Sequence, residues 1–287
     1  DMAQDSKIEW THHTANLWHG CTKVHAGCDN CYAEALAKRF GNDVWGNDKP
    51  RKEVKSVWND LDKYQRLAKE ANQIHRVFVG SMMDIFEKGM PLIDSKGVEY
   101  TDCNTGTLRQ RFFRMIDENR FPNLMFLLLT KRPSNINKYI PISWEDNPPK
   151  NVMFGTSPVD QFTFENLTRQ LLQVKAKRFL SIEPQLDYID LEGIKGIDWI
   201  IQGGESGPNK RPFVIDWAYS MKGQCKKFNI PYFFKQIDKI KQIPDDLMIR
   251  QFPSKEDNCE CTGTVMIHRE HDTDLPYCFE CKKLIIE

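Results

Sequence analysis

The sequence predicts an α/β fold: a partial (β/α) barrel of about six to seven parallel strands, followed by a small C-terminal metal-binding appendage that resembles a zinc ribbon. Three observations predict it. Short apolar runs alternate with amphipathic helical segments over residues 1–240, and each run ends in a polar or glycine-rich cluster. The rhythm then stops, and residues 241–287 are rich in cysteine. Alternating strands and helices are typical of a parallel sheet with right-handed crossovers.

The predicted strands are runs so apolar that both of their faces are expected to be buried, as in a parallel sheet. They are RVFVG (76–80), LMFLLLT (124–130), NVMFGT (151–156), RFLSIE (178–183), IDWIIQGG (197–204) and PYFFKQ (231–236). A first strand is expected before them, at SKIEW or ANLWHG. Between the runs, apolar residues recur at helical spacing, as in the stripe Val57, Leu61, Tyr64 and Ala68.

Composition and charge favour a soluble globular protein over a membrane protein. With 40% apolar and 28% charged residues, the chain has the composition of a soluble globular protein. Forty basic and forty acidic residues cancel, so the net charge gives no argument for a nucleic-acid partner. No apolar run approaches the roughly 18 to 20 residues that span a bilayer, and the N-terminus DMAQDSKIEW has no signal-peptide core. We therefore expect a cytoplasmic protein without membrane contact.

Nine cysteines in such a chain indicate metal binding rather than a disulfide framework. Cys21, Cys28 and Cys31 have the spacing C-x6-C-x2-C in GCTKVHAGCDNCYAEALAKRF, directly before a helical pattern. Four thiolates close a structural metal site, whereas three leave one coordination position open for chemistry. The three cysteines are therefore expected to form an open metal centre on the loop after the first strand.

The ends of the predicted strands carry the other candidate site residues. In a barrel of parallel strands, the carboxyl ends and their loops build the active site. Here they read GSMMD, TKRP, GTSP, SIEP, QGGESGP and FKQ. The candidates to bind a cofactor or substrate are Tyr32, Ser81, Asp84, Thr130, Lys131, Ser157, Glu183, Gly203, Gly204, Glu205 and Lys235.

This arrangement resembles the radical SAM superfamily, with C-x6-C-x2-C in place of the commoner C-x3-C-x2-C. SKIEWTHHTANLWHGCTKVHAGCDNCYAE, FLLLTKRP, FLSIEPQLDYIDL, IIQGGESGP and PYFFKQ are similar to a bacteriophage- and prophage-associated family with a three-cysteine motif, described as radical-SAM-like. The resemblance covers about residues 6–240. It implies that Cys21, Cys28 and Cys31 hold a [4Fe–4S] cluster, whose fourth iron binds S-adenosylmethionine (SAM) and whose electron cleaves SAM to a 5′-deoxyadenosyl radical.

The resemblance also implies roles for the strand-end residues and the partners. Asp84, Glu183 and Glu205 are expected to bind the amino group and ribose hydroxyls of SAM. The carboxylate of SAM or a substrate phosphate is expected to bind the basic residues of the strand ends. These are Lys131, Arg132 and Lys235. An electron donor such as flavodoxin is implied. Phage association favours nucleotide or DNA-base modification.

Two other interpretations of the first cysteine cluster stay open, a zinc site and no metal at all. Nearby histidines allow a zinc site of three cysteines and one histidine, and they are His12, His13, His19 and His25. The protein would then be a zinc-dependent nucleic-acid-binding protein without radical chemistry. A metal-dependent barrel hydrolase ranks last, because the later strand ends offer few histidines.

The second cluster consists of Cys259, Cys261, Cys278 and Cys281, with the spacing C-x-C, sixteen residues, then C-x2-C. Four thiolates close a tetrahedral zinc site. Val265 and Ile267 alternate as in a short hairpin strand, which fits a zinc-ribbon shape. An auxiliary iron–sulfur cluster is the alternative occupant.

Overall fold

The computed structural model describes residues 8–207 and 209–253, together with the backbone of three short strands in the last part of the chain. In chain order the strands are β1 (His13–Ala15), β2 (Trp18–His19), β3 (Arg51–Glu53), β4 (His75–Val79), β5 (Pro91–Ile93), β6 (Glu99–Asn104), β7 (Leu124–Thr130), β8 (Val152–Thr156), β9 (Lys177–Ile182), β10 (Trp199–Gly203), β11 (Tyr232–Gln236), β12 (Val265–Ile267), β13 (Pro276–Cys278) and β14 (Lys283–Leu284). The α-helices are α1 (Tyr32–Arg39), α2 (Val57–Glu70), α3 (Thr105–Asp117), α4 (Ile136–Tyr139), α5 (Ser143–Asp146), α6 (Gln161–Leu171) and α7 (Ile215–Phe228).

The central sheet is a half-barrel of seven parallel strands in the order β1-β4-β7-β8-β9-β10-β11. Each strand therefore pairs with the next central strand along the chain, and helices fill most of the crossovers, as right-handed βαβ units require. The predicted α/β partial barrel is confirmed. Because all seven strands are parallel, their carboxyl ends meet at one edge of the sheet.

The predicted strands agree with the observed ones to within two residues at either end, apart from the first. LMFLLLT coincides with β7. The first strand is shorter than either segment proposed from the sequence: β1 is HTA, which lies after SKIEW and shares only Ala15 with ANLWHG. It has only three residues and pairs with Val77–Val79. A strand this short, with two polar residues, carries no apolar run by which to recognise it.

Alternating residues of the central strands face two separate cores. In β4, Val77 and Val79 join the large core under the helices, and Phe78 joins a smaller cluster on the inner face of the half-barrel. This period of two is the strand pattern. The inner cluster is mainly aromatic, and Trp10, Phe179, Trp199 and Phe233 are its largest members. Two of its members, Trp10 and Phe78, also line a cavity at the strand ends.

The predicted helical stripe at Val57, Leu61, Tyr64 and Ala68 is the buried face of α2. A second sheet, in the order β2-β3-β5-β6, lies beside the first cysteine segment. No helix in the described ranges combines the length and hydropathy needed to span a bilayer.

The last part of the chain begins on the barrel itself. Leu247, beyond the predicted boundary at residue 240, is fully buried in the large core. Farther on, β12, β13 and β14 form a small antiparallel sheet, so the predicted hairpin strand at Val265 and Ile267 is confirmed. Of the four predicted zinc ligands, Cys259, Cys261 and Cys281 lie outside the described residues. The structure describes only the backbone of Cys278.

Candidate active site

A cavity of about 180 Å³ lies at the carboxyl end of the half-barrel. Its lining includes Trp10 and Phe78 of the inner aromatic cluster. The structure gathers nearly every candidate of the half-barrel around this cavity, namely Cys21, Cys28, Cys31, Tyr32, Ser81, Asp84, Thr130, Lys131, Ser157, Glu183, Gly204, Glu205 and Lys235. Gly203 ends β10 one residue before the lining begins. Contact of these residues with a cofactor stays a prediction.

The three cysteines lie between β2 and α1 and are free thiols. A short 3₁₀ turn, Ala26–Cys28, carries the middle one, and α1 begins directly after Cys31. The number and chemistry of these donors fit an open iron–sulfur site. Within the described ranges, no group of three or more His, Cys, Asp or Glu side chains already stands in metal-binding geometry.

Gly20 determines where the cysteine segment leaves the sheet. Its backbone N–H donates to the Met82 carbonyl oxygen at 3.0 Å, which ties the segment to the loop after β4. Its φ of +119° lies in the region that favours glycine, and a Cβ atom there would stand 2.3 Å from the Val44 carbonyl oxygen. A side chain at this position would displace Cys21.

Asp84 organises the loops next to Cys21. Its carboxylate accepts hydrogen bonds from the Thr130 hydroxyl at 2.6 Å, the Lys131 backbone N–H at 3.0 Å and the Arg132 guanidinium at 2.8 Å. A fourth comes from the Phe86 N–H at 3.0 Å. Four internal donors fill the ordinary capacity of a carboxylate, so Asp84 joins the ends of β4 and β7.

The environment of Cys21 favours its protonated form as long as no metal is bound. Burial, and next the Asp84 carboxylate, raise the pKa of the Cys21 thiol to about 12, although Arg132 acts in the opposite direction. A metal ligand must be a thiolate, so cluster binding has to release this proton.

A buried ion pair supports the same segment from behind. The side chains of Arg51 and Glu87 are 0% and 3% exposed, and two guanidinium nitrogens donate to the carboxylate at 2.6 and 2.9 Å. Arg51 also donates to the Thr22 hydroxyl at 2.9 Å and to the Val44 carbonyl at 3.0 Å. Because a bidentate guanidinium is rigid, it fixes the residue after Cys21 relative to the loop that carries Val44.

Glu205 joins the loop after β10 to the cysteine loop. It accepts hydrogen bonds from Arg211, and one from the Asn30 side chain at 3.0 Å. Burial by itself would raise the pKa of Glu205, but the hydrogen bonds from Arg211 and Asn30 lower it below the usual value. The carboxylate is therefore ionised and held between two loops on opposite sides of the cavity.

Glu183 and Lys235 form an ion pair in which both partners line the cavity. Glu183 directly follows β9, and Lys235 is the last residue but one of β11. Lys131 lines the same space, and it lies close enough to His25 to lower the pKa of that imidazole, which burial already lowers, to about 4. These residues place two ammonium groups and one carboxylate where a bound ligand can reach them.

Tyr32 and Ser81 connect the start of α1 with the end of β4. The Tyr32 hydroxyl donates to the Ser81 carbonyl oxygen at 2.9 Å. The Asn16 amide donates to the Ser81 hydroxyl at 2.8 Å and accepts from the Met82 N–H at 2.7 Å. The residue that follows the third cysteine is thus tied to the adjacent strand.

Two of the four histidines that neighbour the cysteines in sequence lie elsewhere in space. His12 and His13 lie at the amino ends of the central strands, away from the cavity. There His12 stacks on His75 with ring centroids 4.6 Å apart, and the Nε2 of His13 is 2.9 Å from the Nδ1 of His75. Of the four histidines considered as zinc ligands, His25 is the one on the cysteine loop, where its Nδ1 accepts the Gly27 N–H at 3.1 Å.

Sequence reasoning missed the residues that hold the loops together, above all Arg51, Arg211 and Asn30. Each pairs with a group far away in the sequence, such as Glu205 with Asn30 across 175 residues. One weak indication of Arg211 was present in the sequence: this arginine lies six residues after Glu205 of the glycine-rich GGESG segment.

Comparisons with known proteins give a family without an assigned activity. A family model described as protein of unknown function (DUF5131) matches residues 5–272. A search of curated proteins and a search of solved structures each found no match.

Proposed function

We propose that this chain, which belongs to the DUF5131 family, is a radical SAM enzyme. One observation carries the proposal: the loop with Cys21, Cys28 and Cys31 lines the same cavity as the polar ends of successive half-barrel strands. A parallel barrel with its cofactor at the carboxyl ends is a common arrangement for catalysis. Three thiolates supply three of the four ligands of a [4Fe–4S] cluster and leave one iron open.

When bound, such a cluster supplies the electron that cleaves SAM to a 5′-deoxyadenosyl radical. The chain's own residues bind SAM and orient it. Of the three predicted carboxylates, Glu183 is the one whose ion-pair partner also lines the cavity, so a ligand can exchange with that pair. Asp84 and Glu205 each accept four hydrogen bonds from the protein. We therefore propose that Asp84 and Glu205 hold the loops in place, and that Glu183 binds the amino group or the ribose of SAM.

Ammonium groups at the cavity suit an anionic ligand. Lys131 and Lys235 line the cavity, and we assign them to the SAM carboxylate or a substrate phosphate. Together with the phage association of the resembling family, this supports a nucleotide or a DNA base as the substrate. The reaction requires a one-electron donor such as flavodoxin.

The proposal is tested by reducing the anaerobically purified protein with dithionite in the presence of SAM. We expect 5′-deoxyadenosine to form, and we expect none when Cys28 is replaced by Ala. Cys103, which is free and does not line the cavity, provides the control Cys103→Ala. A protein that binds zinc at the first cluster and releases no 5′-deoxyadenosine would overturn the proposal in favour of a zinc-dependent nucleic-acid-binding protein.

A further inference from the structure

We infer that Arg132 is a positioning residue for Cys21, holding the backbone of this cluster ligand in place and setting the positive charge beside its sulfur. The inference rests on the proposed function, because it assigns a role toward the cluster that Cys21 would bind.

The guanidinium of Arg132 bridges three groups. Its Nη1 donates to Asp84 Oδ2 at 2.8 Å and lies 3.9 Å from the Sγ of Cys21, within reach of an N–H···S hydrogen bond. Its Nη2 donates to the Thr22 carbonyl oxygen at 2.7 Å. The same planar group therefore contacts the ligand's sulfur and the backbone carbonyl of the next residue.

The surroundings leave this guanidinium little freedom. The Arg132 side chain is 17% exposed, and its backbone N–H donates to the Thr130 hydroxyl at 2.9 Å. The Asp84 carboxylate that receives Nη1 is itself held by Thr130 and Lys131. Glu87 lies 3.9 Å from Nη2 and is fixed by Arg51. Arg132 is thus held by the ends of two strands while it holds the cysteine segment.

This geometry argues against the role first expected for Arg132. Lys131 lines the cavity, whereas Arg132 is not among the described residues that do so. Its Nη1 and Nη2 atoms already donate to Asp84 and to the Thr22 carbonyl oxygen, so they are not available for a bidentate contact with the SAM carboxylate. Arg132 reaches the sulfur of Cys21 from the protein side.

Two consequences follow for a bound cluster. Hydrogen bonds and charge beside a ligand sulfur set the reduction potential. A fixed cation stabilises the more negative, reduced state, so removing it should lower the potential. Groups that orient metal ligands also affect retention, typically by 10- to 100-fold in metal affinity.

The test compares Arg132→Gln and Arg132→Lys with wild type, using cluster midpoint potential and iron retention against a chelator as readouts. Arg132→Gln should lower the potential and weaken iron retention about 10- to 100-fold. Arg132→Lys keeps the charge but cannot span Asp84 and Thr22, so its potential should stay near wild type while retention falls. The control is Arg120→Gln, which removes an arginine from an exposed pair with Asp62.

Unfolding curves of the metal-free proteins establish whether each variant folds. If Arg132→Gln does not fold, the retention of Arg132→Lys decides. Retention and potential equal to those of Arg120→Gln would overturn the inference while leaving the proposed function intact. A wild-type protein that holds no iron–sulfur cluster would overturn the proposed function, and this inference with it.

Discussion

The carboxylate of Glu205 receives three hydrogen bonds from Arg211: one from the backbone N–H at 2.8 Å and two from the guanidinium at 2.7 and 3.1 Å. The same guanidinium donates to the Ala26 carbonyl oxygen at 3.0 Å. The pair therefore joins the loop after β10 to the cysteine loop across the mouth of the cavity.

Replacing Arg211 with Ala should destabilise the protein by about 1.5–3 kcal/mol, because hydrogen bonds to a charged group are lost and the Glu205 side chain, 5% exposed, keeps its charge. Urea unfolding of the metal-free protein measures this. The matched control Lys175→Ala breaks an exposed pair with Asp146 and should cost less than about 1 kcal/mol. Equal losses in the two variants would show that Arg211 does not join the loops.

Glu183→Gln and Lys131→Gln should each weaken SAM binding about ten- to a hundredfold. Each change removes one charge from the cavity, and a hydrogen bond to a charged group contributes roughly 1.5–3 kcal/mol. Equilibrium dialysis with the cluster-loaded protein gives the affinities. Lys195→Gln, at an exposed lysine that does not line the cavity, is the control. Affinities equal to those of the control would exclude both residues from the SAM site.

His12 should make the protein less stable in acid. Burial, and next the neighbouring Arg76, lower the pKa of His12 to about 3 in the folded state, whereas an unfolded histidine has a pKa of about 6.5. The unfolded state then binds the extra proton first. His12 therefore does not lower the free energy of unfolding above about pH 6.5. Below that, it lowers this free energy by up to about 1.4 kcal/mol per pH unit, until the pH reaches the pKa of His12 in the folded state.

His12→Asn isolates this contribution, since its side-chain oxygen can still accept the Arg76 N–H that the imidazole accepts at 2.9 Å. Free energies of unfolding between about pH 7 and pH 4 should decline less steeply in the variant than in wild type. Identical slopes would mean that His12 has about the same pKa in the folded and unfolded states.

The C-terminal cysteines are proposed to bind one structural zinc ion as a unit. A segment of about 30 residues buries too little apolar surface to order itself without a metal. Cys278→Ser should then remove about one equivalent of zinc and leave iron at the first cluster unchanged. Loss of iron with zinc unaffected would instead identify an auxiliary iron–sulfur cluster.

The half-barrel and the lining of its cavity were predictable because each depends on a local pattern. Apolar runs mark the strands, and the polar residue that ends a run, such as Thr130 or Glu183, must lie at the shared carboxyl edge. The placement of β1 was not predictable, since its three residues are held by pairing with β4 rather than by an apolar run of their own.

The partners of the site residues were also hidden in the sequence. Asp84 and Glu205 stand where ligand-binding carboxylates are expected, but their partners, Arg132 and Arg211, are supplied by loop conformation. A charge at a strand end therefore predicts that a residue lies at the site. Which group that charge meets depends on the conformation of the loops.

The most direct test of the central claim is a measurement of iron, sulfide and zinc in the anaerobically purified protein and in its single cysteine variants. Wild type should carry about four irons and four sulfides at the first cluster. Cys21→Ala, Cys28→Ala and Cys31→Ala should each lose them without unfolding, and Cys103→Ala should keep them. Retention of a complete cluster by any one of the first three variants, or zinc in place of iron in wild type, would contradict the claim.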